Sequence, residues 1–402
     1  MLRVASDKSI THRAFLLGAL AQGTTLVRHP LLAEDTEATL SCLERLGVGI
    51  RRQGQDVAIT GAALQPAVLD CKNAGTLMRL LMGILATQDF ESTLIGDASL
   101  IKRPMQRVAE PLRMMGASID LDAGHAPVRI LKPVRESIKY QMPIASAQVK
   151  SAIMLAHLGI NKACEIQERT LSRDHLERML PFFGVPVRHD GCSIFMEAAP
   201  LGACEIAVPA DPSSAAPFIA GALLRAPIEL TDVCLNPTRL GFVETLRSMG
   251  ASITMHDVRQ EFGESIGLMR ITPSQLTGVR VPASQIPSMI DELMLLALLA
   301  TQAKGTTVLE RVGELRFKES DRLSMMVEIL RSMGAKIHCS ELDDVVIEGG
   351  VPLHGIQMDA KQDHRIAMLG AIANLLVPME LIGADCVAVS YPDFFAHMGM
   401  IS

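Results

Sequence analysis

The chain has 402 residues, of which 49% are hydrophobic and 20% charged, a balance that excludes intrinsic disorder and is large enough for two well-cored domains. A net charge of −6 argues against a nucleic-acid or membrane-surface binder, so any basic site must be a local concentration of charge. The eight cysteines are scattered, with no Cys-x-x-Cys pair and no histidines at ligand spacing, which reads as free thiols in a reducing cytoplasm with no metal site, and the strongly apolar run 294–300 is too short to span a bilayer.

The first predicted element is a helix over residues 9–22, opened by Asp7-Lys8-Ser9-Ile10-Thr11-His12-Arg13. Lys8 and Arg13 beside this apolar stretch imitate a secretory signal, but the stretch recurs five more times downstream and therefore reads as structural. A β-like run follows at 24–28, then a more polar helix ending in Leu-x-x-Leu-Gly-x-x-Ile at 43–50. The second unit opens with Asn73-Ala74-Gly75-Thr76 and Arg79 on a helix over 75–87. It continues with a strand at 92–95, the segment Lys102-Arg103-Pro104-Met105, the glycine motif at 112–119 and strands at 118–121 and 128–131. The third has Ser146-Ala147-Gln148-Val149-Lys150 at the start of a helix over 147–158, a strand at 163–167, Ser172-Arg173-Asp174-His175, and the motif at 180–187.

Units four to six repeat the plan. Helices are predicted over 213–224, 289–301 and 364–376, strands at 228–231, 306–310 and 379–382, and the motif at 246–253 and 330–337, with a worn copy at 395–399. A further strand is predicted at 345–348. The fifth unit carries Asp291-Glu292 and Arg316-Phe317-Lys318-Glu319-Ser320-Asp321-Arg322; the sixth carries Asp363-His364-Arg365.

The motif glycines fall at 47, 116, 184, 250, 334 and 399, in steps of 69, 68, 66, 84 and 65 residues. Self-similarity at such a period decides the architecture before any single element does. Each glycine stands where a helix needs a left-handed C-terminal cap. The opening helices are apolar nearly all round and are therefore buried ones. Alternating α and β gives an α/β fold of parallel and mixed sheets. Six units make two similar domains of three repeats each, with the break near Val208-Pro209-Ala210-Asp211-Pro212. Residues 8–208 form the first domain and residues 1–7 with 209–402 the second, and equivalent ends of the units face one cleft.

A helix N-terminus presents free N–H groups and a partial positive charge, which suits a phosphate or carboxylate. Taken singly, each polar segment reads as an ordinary cap. Caps prefer acids, however, so lysines and arginines repeated at equivalent helix starts are the wrong charge for capping and the right one for anions. Lys318, Glu319 and Arg322 are the densest cluster, with Glu319 and Arg322 one helical turn apart. On local grounds the cluster fits a solvated ion-pair face, or a partly enclosed site between Phe317 and Leu323.

Together these segments resemble the 5-enolpyruvylshikimate-3-phosphate synthases of the enolpyruvyl transferase family. The likeness runs in order from Asp7 to about Pro392, and Ser146–Lys150 with residues 170–180 resemble the second class of those enzymes. The resemblance implies two domains, each of three βαβαββ repeats with helices buried inside sheets (an inside-out α/β barrel) and a ligand cleft between them. Implied, too, is transfer of the enolpyruvyl group of phosphoenolpyruvate to the 5-hydroxyl of shikimate 3-phosphate through a tetrahedral intermediate, in aromatic amino-acid biosynthesis. A cytoplasmic monomer with no cofactor and no nucleic-acid or membrane partner is expected. By similarity, Lys8, Ser9, Arg13, Ser146, Ala147, Gln148, Arg173, Asp291 and Lys318 hold shikimate 3-phosphate. Lys8, Asn73, Gly75, Arg103, Gln148, Arg322 and Arg365 hold phosphoenolpyruvate, and clamping both anions draws the domains together. Asp291, Glu319 and Lys8 are the acid/base candidates, with Lys8 and Glu319 interchangeable in their roles.

Two departures from the family pattern stand out: Ala5-Ser6 replaces a usual Pro-Gly, and Val389 stands where many members have a lysine. A related transferase acting on a uridine-diphosphate amino sugar normally has a cysteine in the loop before the Arg-Pro pair. Residues 96–101 contain none, and Cys71 lies in a different strand. A non-catalytic anion binder would waste Asp291 and Glu319 inside a basic cluster, and two tyrosines with no tryptophan leave few stacking platforms for single strands.

Overall fold

Six helices open the six repeats: Lys8–Leu20, Gly75–Leu85, Ala147–Gly159, Pro212–Leu224, Leu293–Gln302 and His364–Ala373. The structure, a computed structural model, describes residues 1–400. These helices are buried on nearly every face, Leu293 through Thr301 without exception, as their composition requires. The fifth begins four residues later than the sequence predicts because a 3₁₀ turn, Ile286–Ser288, with Pro287 inside it, occupies the approach. The sixth stops at Ala373, where Asn374 turns its side-chain oxygen to the Met379 N–H at 2.8 Å.

Two units result. The N-terminal unit comprises Asp7–Val208 with Glu261–Glu264; the C-terminal unit comprises Met1–Ser6, Pro209–Gln260 and the chain from Ser265 onward. Each sheet of the N-terminal unit has four strands in one order: a short parallel edge strand, the strand after the buried helix, then an antiparallel hairpin. In the second repeat these are Val68–Asp70, Ser92–Ile95, His125–Lys132 and Ser118–Asp122. The third repeats the pattern with Lys139–Gln141, Cys164–Gln167, Ser193–Met196 and Val187–Asp190. For the first repeat, the edge strand comes from the far end of the unit: Glu205–Ala207 lies parallel to Thr24–Arg28.

In the C-terminal unit, Leu2 bridges in parallel to Leu230 and occupies the same edge beside Ile228–Cys234, Glu264–Thr272 and Ser252–Glu261. Arg280–Val281, Thr306–Leu309, Val345–Glu348 and Lys336–Cys339 make the fifth sheet. The sixth repeat departs from the plan, because Gln357–Asp359 and Glu380–Ile382 pair with each other and no hairpin follows among the described residues. Tyr391 and Phe394 pack on Phe218 at 6.0 and 5.8 Å between ring centres, and the Tyr391 hydroxyl meets His397 Nδ1 at 2.8 Å. Aromatic burial at that end stands in for the absent strands.

The glycine reading holds five times in six. Gly47, Gly116, Gly184, Gly250 and Gly334 have φ between 88° and 98°, where a side chain is strained. Gly399 is the correction: its φ of −58° is ordinary helical backbone that any residue adopts.

Gly83 has a different purpose. A Cβ at this position would lie 2.3 Å from the carbonyl oxygen of Ala152, so the Gly75–Leu85 and Ala147–Gly159 helices touch backbone to backbone. No rotamer relieves a clash with a main-chain atom. Gly83→Ala is expected to cost about 2 kcal/mol or more, read as a lower urea midpoint at unchanged slope. An unmoved midpoint would show that the two helices separate freely.

Candidate active site

Within the N-terminal unit, Asp7 caps the first helix by accepting from the Ile10 N–H at 2.8 Å, which leaves Lys8 and Ser9 on the opening turn. Lys8 Nζ pairs with Asp35 at 2.7 Å, a partner the sequence reading did not name. Arg13, nearly buried, donates to the Ser9 carbonyl at 3.0 Å and to the Ser151 hydroxyl, also at 3.0 Å. His12 lies behind them with Nδ1 2.7 Å from the Thr39 hydroxyl. Burial, aided by the positive charges of Lys8 and Arg13 against the opposing pull of Asp35, holds its pKa down to about 3, so the ring is neutral at working pH.

That neutrality has a consequence. The unfolded chain protonates this imidazole below about pH 6.5 while the folded chain does not, so folding stability declines as pH falls from 6.5 toward 3. The slope approaches about 1.4 kcal/mol per pH unit for a single group. Urea titrations of His12→Asn between pH 6 and 4 are expected to be flatter than those of the parent by up to one proton. Equal slopes would remove this assignment.

The second and third repeats join through side chains. Arg103 donates to the Asn73 side-chain oxygen Oδ1 at 2.5 Å, and the Asn73 side-chain amide nitrogen donates to Asp97 at 2.7 Å. Gly75 opens the second helix, where a Cβ would lie 3.0 Å from Arg103 and 3.3 Å from Arg79; its missing side chain is the room those guanidiniums occupy. Arg79 donates to Gln148 Oε1 at 2.6 Å and to the Pro104 carbonyl at 3.1 Å, and Gln148 donates to the Thr76 hydroxyl at 2.8 Å. Asn73, Gly75, Arg103 and Gln148 therefore form one cluster, with Arg79 as its buried centre. Ser146 caps the third helix through the Val149 N–H, and Ala147 is its first residue. Arg173 is half-buried in the segment ahead of the short His175–Met179 helix.

Two residues of the polar segments serve other ends. Lys150 is buried between Glu168 at 2.8 Å and Glu177 at 2.6 Å. Burial alone would lower its pKa, but the two carboxylates outweigh it and the net shift is upward. Its charge is internally matched by those two carboxylates. His175, also buried, pairs with Glu264 at 2.7 Å.

Within the C-terminal unit, one guanidinium organises the rest. Arg322 is 1% exposed and reaches Asp363 at 2.8 Å, Glu319 at 2.6 Å and Asp291 at 3.3 Å. Lys318 shares Asp291 at 3.0 Å. Burial pulls the Arg322 pKa down, yet Asp363 and Glu319 outweigh it and drive it above the ordinary arginine value; this cation is permanent. Asp363 moves the opposite way, below the usual carboxylate range, because Arg322 overcomes the cost of burial. It also accepts from the Ser320 hydroxyl at 2.8 Å and from the Arg365 N–H at 2.9 Å.

The cluster is enclosed, but not for the reason the sequence offers. Phe317 is 54% exposed and shields nothing, while Asp363 and the core beneath Leu323 do the enclosing. Nor do Lys318 and Glu319 lie on a helix: the helix starts at Arg322, capped by Asp321, and Glu319 reaches back to Arg322 from the preceding loop. Asp35 is the partner the sequence did not mark, while Arg79 and Asp363, named there among the polar segments without a role, prove to be the links within their clusters.

Among the described residues, no three His, Cys, Asp or Glu side chains gather as a metal site, and no helix is long and apolar enough to cross a membrane. The N-terminal unit offers fixed cations and oriented amides suited to small anions, and the C-terminal unit a buried cation in contact with three carboxylates. Residues 1–398 match the family described as EPSP synthase (3-phosphoshikimate 1-carboxyvinyltransferase). The 3-phosphoshikimate 1-carboxyvinyltransferase of Geobacillus kaustophilus is 44% identical over 99% of this chain and 96% of its own length. That of Lactiplantibacillus plantarum is 43% identical over 100% and 96%. Among solved structures, EPSP synthase from Acinetobacter baumannii superposes with a TM-score of 0.86 at 39% identity, covering 100% of this chain and 95% of that one. The enolpyruvyl transferase NikO from Streptomyces tendae, at TM-score 0.77 and 15% identity over 100% and 94%, shares the fold.

Proposed function

We propose that this chain, which belongs to the EPSP synthase family, transfers the enolpyruvyl group of phosphoenolpyruvate to the 5-hydroxyl of shikimate 3-phosphate and releases phosphate. Shikimate 3-phosphate is held by Lys8, Ser9, Arg13, Ser146, the Ala147 backbone, Gln148, Arg173, Asp291 and Lys318. Phosphoenolpyruvate is held by Lys8, Asn73, Gly75, Arg103, Gln148, Arg322 and Arg365. Asp291 orients the 5-hydroxyl and takes up its proton as the oxygen bonds to carbon 2 of phosphoenolpyruvate. Glu319 delivers a proton to carbon 3, which completes a tetrahedral intermediate. Loss of a proton from carbon 3 back to Glu319 re-forms the double bond as the bond from carbon 2 to the phosphate oxygen breaks; the leaving phosphate takes up the proton held by Asp291, and Lys8 neutralises its charge. No other reactant is needed for the atoms to balance. The chain acts as a cytoplasmic monomer.

The observation that carries this reading is the contact of Asp291 and Glu319 with the same buried guanidinium, at 3.3 and 2.6 Å. Two carboxylates beside a permanent cation can exchange protons next to a bound anion without losing their place. The test is phosphate release from phosphoenolpyruvate with shikimate 3-phosphate, run beside a uridine-diphosphate amino sugar as acceptor. Release with the first acceptor only is expected; release with the amino sugar only, or with neither, would overturn the proposal.

A further inference from the structure

The fourth repeat supplies none of the anion-binding side chains named above, yet its opening turn is among the most heavily bonded in the C-terminal unit. Asp211 caps the Pro212–Leu224 helix, its Oδ1 accepting from the Ser213 N–H at 2.8 Å. The same oxygen accepts from Arg239 at 2.7 Å, and Arg239 also donates to the Ser213 hydroxyl at 2.9 Å. That hydroxyl in turn donates to Glu292. The Ser213 carbonyl is where Arg365 ends, donating through its Nη1 at 2.6 Å. None of these five residues is more than 7% exposed.

Ser213 is thus gripped through its hydroxyl by Arg239 and Glu292 while its carbonyl grips Arg365. An arginine side chain carries about 2 kcal/mol of rotamer entropy, and a ligand that must first order it binds correspondingly less tightly. Anchoring the acceptor of Arg365 removes part of that cost before the ligand arrives. The charges also balance: Asp211 and Glu292 offset the two guanidiniums that converge on one serine.

We propose that Arg239 is a positioning residue for phosphoenolpyruvate: by pinning Asp211 and Ser213 it holds the carbonyl that aims Arg365. The inference rests on the assignment of Arg365 to phosphoenolpyruvate. Arg239→Met is expected to raise the KM for phosphoenolpyruvate by about tenfold, a loss of the size that a small misplacement of a binding group produces. The binary dissociation constant for shikimate 3-phosphate should move less than about twofold, since most groups assigned to that ligand lie in the N-terminal unit. Ser213→Ala keeps the carbonyl and loses only the hydroxyl, and should shift the same KM in the same direction. Arg239→Lys should recover part of it. Combined with Arg365→Ala, Arg239→Met should add little, because both act on one contact.

A purely structural arginine would lower the thermal midpoint and leave KM alone. Arg239→Met with KM within about twofold of the parent, or with a loss fully additive to that of Arg365→Ala, overturns the proposal. If Arg239→Met does not fold, Ser213→Ala decides alone, and an unchanged KM there overturns it equally. Failure of the parent protein to release phosphate would strike the functional reading instead, which keeps the two outcomes apart.

Discussion

Asp291→Ala and Glu319→Gln are each expected to cut turnover by about 10²- to 10⁴-fold while binary binding of shikimate 3-phosphate stays measurable by calorimetry. The contacts explain why activity and folding should part company. Arg322 keeps Asp363 at 2.8 Å in both variants, so its guanidinium remains paired when either of the other carboxylates is lost. Lys318 loses its 3.0 Å partner only in Asp291→Ala, which should therefore show the larger change in affinity for the phosphorylated shikimate. Near-normal turnover in both variants would remove these two residues from the chemistry.

Arg322→Met is expected to have the largest effect on folding, a loss of about 3–5 kcal/mol, because Asp363 is then left charged and fully buried without its partner. The pH dependence should change sign as well. In the parent the Asp363 pKa is depressed, so its contribution is present above the unfolded value of about 3.9 and is lost as pH falls through the folded value. In the variant the stranded carboxyl has a raised pKa, so stability is kept at low pH and lost as pH rises through it. Urea unfolding from pH 4 to 7 separates these slopes. Arg322→Lys retains the charge without the planar fork and should fall between parent and Met variant. A Met variant within about 1 kcal/mol of the parent would show that other groups already compensate Asp363.

Much of the fold was legible because it is repeated. A six-fold alternation of apolar helix, short strand and glycine-ended helix needs no single boundary to be right, and the strands at Thr24–Arg28 and Ser92–Ile95 fall where the pattern puts them. Departures occur where repetition breaks: at Gly399, at the sixth sheet without its hairpin, and at edge strands borrowed from elsewhere in the chain. The polar segments contain Arg103, Gln148 and Arg322, and each takes part in a hydrogen-bonded cluster. Lys150 lies in one of the same segments, and sequence shows its charge but not the two glutamates that bury it. Asp35, 27 residues from its Lys8 partner, illustrates what spacing cannot reveal: a contact made by packing two helices, with no local signature.

The borrowed edges also set a timetable for biosynthesis. Arg28 meets Glu205 across 177 positions, so the opening sheet stays one member short until roughly half the protein has left the ribosome. Leu2 must wait for Glu229 and Thr231 before its backbone groups find their acceptor and donor. Nascent chains halted near residue 190 should therefore display an unpaired β-edge that chaperones can grasp, whereas those halted beyond residue 240 should have hidden both.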